Sequence, residues 1–258
     1  MERVLKASEL SKISLGLIGG TGALNLFSPK ASFVVTTDWG DPSSALTEVC
    51  VGPTDAPLSA WMIQRHGNPH RIPPHRVNYR ANIDALKQAG VQQVISINAV
   101  GGIDPNFAPG DLVLVDQLID YTWGRAHTFS DDVSHTLEHV EFGNPYEGRT
   151  FEQLKVAAKS AGVAVHVGGC YGATQGPRLE TAAEIKRMAQ DGCDVVGMTG
   201  MPEAGLAREA GLDYASICII ANPAAGLEAE PIRLEELHAV LDRSMGKVAH
   251  WLSHFRIV

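Results

Sequence analysis

LETAAEIKRMAQDGCDVVGMTGMPEAGLAREAGLDYASICIIA, residues 179–221, decides the fold. Leu179–Gln190 reads as a helix, and Gly192 just past its end supplies the residue that most easily takes the left-handed turn ending one. Asp194–Met198 reads as a strand that stops at Thr199. Pro202–Ala210 is a second helix with proline at its first position, where the missing N–H costs nothing. Tyr214–Ala221 is a second strand, rich in β-branched and aromatic residues. Strands alternating with helices in so short a span predict an α/β architecture.

The pattern extends outward. Thr150–Ala161 reads as a helix and Val163–Cys170 as a strand. Gly110-Asp111 opens a strand over Leu112–Ile119, and Val91–Ile97 is a buried strand leading into Asn98-Ala99-Val100-Gly101-Gly102. A helix over Val77–Ala89 keeps Tyr79, Ile83 and Leu86 on one face and stops at Gly90. Nearer the N-terminus, Ile13–Ile18, Phe33–Thr37, Leu46–Gly52 and Leu58–Gln64 follow as strands with no helix between them. That run predicts a mixed, partly barrel-like central sheet flanked by helices. Leu234–His254 is the long last helix, with Leu237, Val240, Leu241, Val248 and Leu252 along its apolar face. No repeat, low-complexity stretch or linker interrupts residues 1–258, so a single domain is expected. Tyr121–Tyr146 is polar and without a period, and so long a loop in a compact domain usually serves function or meets a partner subunit.

The formal charge of −8 argues against nucleic acid as a partner, since such proteins carry a basic field. It leaves room for one phosphate held locally by an arginine and backbone N–H groups. Cys50, Cys170, Cys193 and Cys218 show no CxxC spacing. The first 20 residues lack the pattern of a signal peptide, and no apolar run approaches ~18 residues, so no membrane span is expected. The expectation is a cytoplasmic protein with reduced thiols. His66, His70, His75, His135 and His139 form neither HExxH nor a zinc-finger spacing, and no metal is expected.

In α/β folds chemistry sits beyond the carboxyl ends of the strands. Five such ends here carry polar or glycine-rich residues: Gly19-Gly20-Thr21-Gly22, Arg65-His66, Asn98-Ala99, Thr199 and Asn222. The glycine turn fails the dinucleotide fingerprint at Asn25 and lacks a phosphate-loop lysine, so it reads equally as an anion site or a tight turn. Arg65-His66 reads equally as an oxyanion clamp or a surface pair. Prolines at 69, 73 and 74 forbid regular structure after it.

Taken together, LGLIGGTG (15–22), RHGNPHRIPPHRVNYRANIDAL (65–86), INAVGGIDPNFAPGDLVLVDQLID (97–120), GATQGPRLETAAEI (172–185) and GMTGMPEAGLAREAGLDYASICIIAN (197–222) are long, ordered motifs. The chain resembles the trimeric purine nucleoside phosphorylase and methylthioadenosine phosphorylase family from about Leu15 to its last helix. The resemblance implies the nucleoside phosphorylase fold and cleavage of a purine nucleoside by inorganic phosphate, which is a co-substrate, with no cofactor. It implies that phosphate is held by Thr21, Arg65, His66, Ala99 and Thr199. Asn98, which stands where the methylthioadenosine branch has a hydroxyl residue, is counted with them. Met198 and Leu179 would meet the substrate, and Asn222, Glu180 and His66 would be catalytic. A homotrimer is implied, with His139 of one subunit closing over the sugar bound to its neighbour.

The branches of the family differ at the base. Where the methylthioadenosine branch has serine and aspartate, this chain has Glu180 and Asn222. A 6-oxopurine presents an N1–H donor and an O6 acceptor, which a carboxylate and an amide match, whereas adenine would set its N1 lone pair against Glu180. At the 5′ end, the inosine-cleaving branch has a histidine where this chain has Leu234, and an apolar residue suits a methylthio group. The substrate fitting both is 5′-methylthioinosine, giving hypoxanthine and 5-methylthioribose 1-phosphate. An adenine-specific methylthioadenosine phosphorylase, an inosine/guanosine phosphorylase using His238, and a non-enzymatic nucleoside-binding protein are the alternatives. The partners expected are a nucleoside and phosphate, with neither nucleic acid nor membrane.

Overall fold

A computed structural model describes residues 5–20, 23–131, 137, 139–228 and 234–257. In chain order the strands begin β1 (Leu5–Lys6), β2 (Leu15–Gly19), β3 (Pro29–Phe33), β4 (Val35–Thr36), β5 (Leu46–Val51) and β6 (Leu58–Gln64). Then come β7 (Gln93–Gly102), β8 (Leu112–Leu114), β9 (Gln117–Asp120), β10 (His166–Val167), β11 (Cys170–Ala173), β12 (Val195–Gly197) and β13 (Asp213–Pro223). The α-helices are α1 (Tyr79–Gln88), α2 (Arg149–Ala161), α3 (Ala182–Asp191), α4 (Gly200–Glu209) and α5 (Leu234–Leu252).

Among the described residues, eleven strands share one sheet, and β1 pairs separately with β4. The sheet is mixed: β2, β7 and β13 run parallel, while β5 is antiparallel to both β3 and β6. It also closes on itself. The body of β7 pairs with β2 and β13, and its far end, Gly101 and Gly102, pairs antiparallel with β12. From β12 the ladder continues to β11 and β9, and β9 follows β8, which pairs with β13. The barrel-like expectation is met by this belt. A Cβ on Gly101 would meet Val196 Cγ1 at 3.1 Å, so the close approach of β12 is eased by a residue without one.

Strands buried on both faces read as unbroken apolar runs, and all five residues of β2 are buried. Their side chains alternate between two cores. Ile18, Val94, Val100, Cys218 and Ile220 pack with Ile83 and Leu86 of α1 and Leu206 of α4. Leu15, Leu17, Ile95, Ile97, Ile217 and Ile219 pack with Leu154 of α2 and Leu241, Val248 and Trp251 of α5. Each fully buried side chain of this kind contributes roughly 1.5–3 kcal/mol of transfer free energy. Trp251 also donates its indole N–H to Leu154 O at 2.8 Å, so the ring is buried without an orphaned donor. Among the described residues no helix is long and apolar enough to cross a membrane.

Several boundaries differ from expectation for local reasons. The helix expected from Leu179 begins at Ala182, because Thr181 and Glu184 form a capping box: Thr181 Oγ1 accepts from Glu184 N at 3.1 Å, and Glu184 Oε2 accepts from Thr181 N at 2.7 Å. Leu179 and Glu180 therefore lie on the approach to the helix. Asn98 to Gly102 belong to β7 rather than to a turn after it. The expected strands 112–119 and 163–170 are each split, the second at Gly168-Gly169, both with positive φ. α4 begins at Gly200, with non-helical geometry at Met201 before Pro202. Asn222 lies inside β13, just past an irregularity at Ile220.

Candidate active site

A cavity of about 240 Å³ opens where β2, β6, β7, β12 and β13 end. Gly20, Arg65, His66, Asn98, Ala99 and Thr199 line it, together with Leu179, Glu180, Met198 and Asn222. Thus ten of the residues singled out from the sequence share one cavity. Thr21 lies outside the described residues, as does the side chain of Leu234. His139 is exposed and is not among the cavity's lining residues.

Arg65 is not a surface residue: it is 1% exposed. Its Nε donates to Glu203 Oε2 at 2.7 Å, and its Nη2 to Glu203 Oε1 and Ser96 Oγ, both at 2.8 Å. Nη1 reaches Ile97 O at 3.5 Å. A guanidinium carries five N–H groups, so one on Nη1 remains for a ligand. Burial alone would lower its pKa, but the Glu203 carboxylate more than reverses this and raises it. Glu203, fully buried, also accepts from Tyr214 Oη at 2.8 Å. The guanidinium is thus a fixed, charge-paired fork.

His66 is half-buried, with its ring stacked 4.5 Å from that of His70. Burial first, then the neighbouring Arg65, lowers its pKa to about 4. The neutral ring donates Nδ1–H to Ile72 O at 2.8 Å, because a carbonyl can only accept, and Nε2 is left as an acceptor. Between the unfolded value of 6.5 and about 4, the unfolded chain binds a proton at this histidine that the folded chain refuses. His66 therefore favours folding above pH 6.5 and loses that contribution as pH falls towards 4, a change of at most ~3 kcal/mol. His66→Gln should flatten the fall in urea-denaturation stability between about pH 7 and about pH 5. An identical slope in the variant would contradict this.

Asn98 reaches the cavity from within β7 rather than from a turn after it. Because β7 continues through it, its side chain turns inward and is 2% exposed. Both amide hydrogens are engaged, with Ser96 Oγ and Ser216 Oγ at 2.8 Å, and Oδ1 accepts from Thr199 Oγ1 at 3.1 Å. Its amide orients Thr199 and has no hydrogen left for a phosphate. Thr199 N donates to Tyr171 Oη at 3.3 Å, so Asn98 and Tyr171 fix this residue from two directions. Ala99, exposed in a mostly buried strand, lines the cavity.

Elsewhere in the lining, Glu180 Oε1 accepts from Thr174 Oγ1 at 2.6 Å. Asn222 Nδ2 donates to Pro223 O at 2.6 Å, which uses one of its two amide hydrogens. The side chain of α5 that lines the cavity among the described residues is Leu237, one turn on from Leu234. Sequence reasoning missed Leu237 in this role, and it missed Glu203, Tyr171, Thr174 and Arg125. Arg125, 8% exposed, comes from the aperiodic segment after β9. The signal for Glu203 was the buried Arg65 itself, which needs a counter-charge. Among the described residues no three His, Cys, Asp or Glu side chains converge as metal ligands.

Around Arg65 the cavity offers an anion a guanidinium N–H and its positive charge, and around Glu180 and Asn222 it offers one acceptor and one amide. The sequence profile described as "Phosphorylase superfamily" matches residues 15–255. This chain belongs to the phosphorylase superfamily. Within the superfamily it is 49% identical over 235 residues to a probable S-methyl-5′-thioinosine phosphorylase of Xanthomonas campestris pv. campestris, covering 90% of this chain and 92% of the relative. It is 39% identical over 235 residues to the 6-oxopurine nucleoside phosphorylase of Pyrococcus furiosus, covering 89% and 86%. Among solved structures of phosphorylases, it is similar to the methylthioadenosine phosphorylase of Schistosoma mansoni in complex with adenine. The TM-score is 0.86 at 33% identity, over 94% of this chain and 90% of that one.

Proposed function

We propose that the chain, as one domain over residues 1–258, cleaves 5′-methylthioinosine with inorganic phosphate as co-substrate and with no cofactor. The observation that carries this reading is that Glu180 and Asn222 line one cavity with Arg65, Thr199 and Leu237. Phosphate bound beside Arg65, His66, Ala99 and Thr199 is placed under C1′ of the sugar. As the C1′–N9 bond breaks, its electron pair moves into the purine, an oxygen of hydrogen phosphate bonds C1′, and the proton that the phosphate gives up ends on a ring nitrogen of the base. Hypoxanthine and 5-methylthioribose 1-phosphate result. Asn222 donates where negative charge grows on the base, and Glu180 accepts from N1–H, so neither changes its charge. Met198 packs on the sugar, and apolar Leu237 suits a methylthio group better than a hydroxyl.

The likeness to relatives named S-methyl-5′-thioinosine phosphorylase supports the substrate. A general 6-oxopurine nucleoside phosphorylase is the second reading, favoured by the same base wall and by relatives so named. We further propose a cytoplasmic homotrimer in which His139, exposed on its own subunit, closes over a neighbour's sugar. A fully active monomer in sedimentation would remove that part. The deciding experiment is a phosphorolysis panel of methylthioinosine, methylthioadenosine, inosine and guanosine, with and without phosphate. Methylthioinosine should lead, inosine should trail by ~10–200-fold because an apolar contact discriminates weakly, and methylthioadenosine should be poorest. Equal cleavage without phosphate would make the chain a hydrolase, and a preference for methylthioadenosine would end the base argument.

A further inference from the structure

We propose that Thr174, itself held by Arg125, is the positioning residue that aims Glu180 into the base cavity. This rests on the reading that Glu180 accepts the purine N1–H. Glu180 precedes the capping residue Thr181, so no helical geometry fixes its side chain. The nearby cation is engaged elsewhere: Arg178 donates to both carboxylate oxygens of Glu184, at 2.7 and 2.8 Å. Thr174 has one hydroxyl hydrogen and two acceptors in reach, Glu180 Oε1 at 2.6 Å and Gly197 O at 3.3 Å. The shorter, charge-assisted bond takes the hydrogen. It occupies Oε1 and leaves Oε2 for a base. Glu180 stands in the wall between the base cavity and a second one lined by Tyr121, Trp123 and Thr174. Thr174 lines only the second cavity, so it works on Glu180 from behind without touching the purine.

Arg125 fixes the backbone that carries Thr174. Its Nη2 donates to Thr174 O at 3.1 Å and to Gln175 O at 2.9 Å, and its Nε to Gln175 Oε1 at 3.2 Å. Its Nη1 donates to Met198 O at 2.9 Å, to Met201 O and to Tyr79 Oη. All these acceptors are neutral, and together they satisfy an arginine 8% exposed without an ion pair among them. One side chain thereby ties the end of β11 to the start of α4, and with them Thr174 to Met198.

The test is kinetic. Thr174→Val keeps the shape and removes the hydroxyl, and kcat/KM for the nucleoside should fall ~10–100-fold with KM for phosphate unchanged. Thr174→Ser should restore most of the loss. In a Glu180→Gln background, Thr174→Val should cost nothing further, because it acts through Glu180. Arg125→Lys should raise KM for the nucleoside and leave that for phosphate alone. A Thr174→Val enzyme as active as wild type, or losses that multiply in the double variant, would overturn the proposal. If Glu180→Gln alone matches wild type, the base reading has failed instead.

Discussion

Asn222→Asp is expected to reverse the base preference, lowering kcat/KM for methylthioinosine by ~10⁴ and raising that for methylthioadenosine above it. The size follows from what the side chain does in the free chain. One amide hydrogen of Asn222 already meets Pro223 O at 2.6 Å, which fixes the NH₂ end and leaves the second hydrogen for the base. An ionised aspartate would set its oxygens against Pro223 O and against the N7 and O6 lone pairs of hypoxanthine, where every former donor becomes an acceptor. Protonated, it can keep one donor, and adenine, with its 6-amino hydrogens, then supplies a partner for the other oxygen. Initial rates for the two nucleosides, at saturating phosphate, read the change directly. A variant that keeps methylthioinosine turnover within about tenfold of wild type would show that Asn222 does not select the base.

The second large effect concerns Arg65 and Glu203. Both are buried, at 1% and 0% exposure, and each satisfies the other. Arg65→Met leaves the Glu203 carboxylate without its cation, and Glu203→Leu leaves the guanidinium without its anion. Each single change should lower stability by ~3–5 kcal/mol. The double variant Arg65→Met/Glu203→Leu should recover most of that stability, because apolar side chains of similar volume need no partner. It should stay inactive, with phosphorolysis down at least ~10²–10³-fold, since the directed N–H at the phosphate site is gone. Denaturant unfolding and a phosphorolysis assay on the same preparations separate the two effects. A double variant that is both stable and active would remove Arg65 from the chemistry.

The sequence made the alternation of strands and helices legible, because Gly192, Pro202 and the apolar runs punctuate it locally. It also located ten of the residues that line the cavity, since strand ends carry the polar residues of an α/β fold. What it hid depends on contacts between distant segments. Glu203 follows a proline at a helix start and reads as an ordinary first-turn acid, until Arg65, 138 positions away, is found against it. Arg125 sits in a stretch with no period to betray that it is buried. The end of the strand that carries Asn98 was hidden because its continuation to Gly102 is set by pairing with β13. The start of α3 was legible in principle: Thr181 and Glu184 form a capping box that the residue types alone announce. On α5 the described side chain at the cavity is Leu237, which sequence reading placed only on the helix's apolar face.

Different arginines hold the two groups of cavity residues, Arg65 with Glu203 and Arg125 behind Thr174. The two anchors meet on one segment, because Arg125 also donates to Met198 O and Met201 O, which flank Thr199 and lead into Glu203. Residues 180 and 222 belong to neither anchor, so a relative can change the base it accepts while both arginines keep their partners.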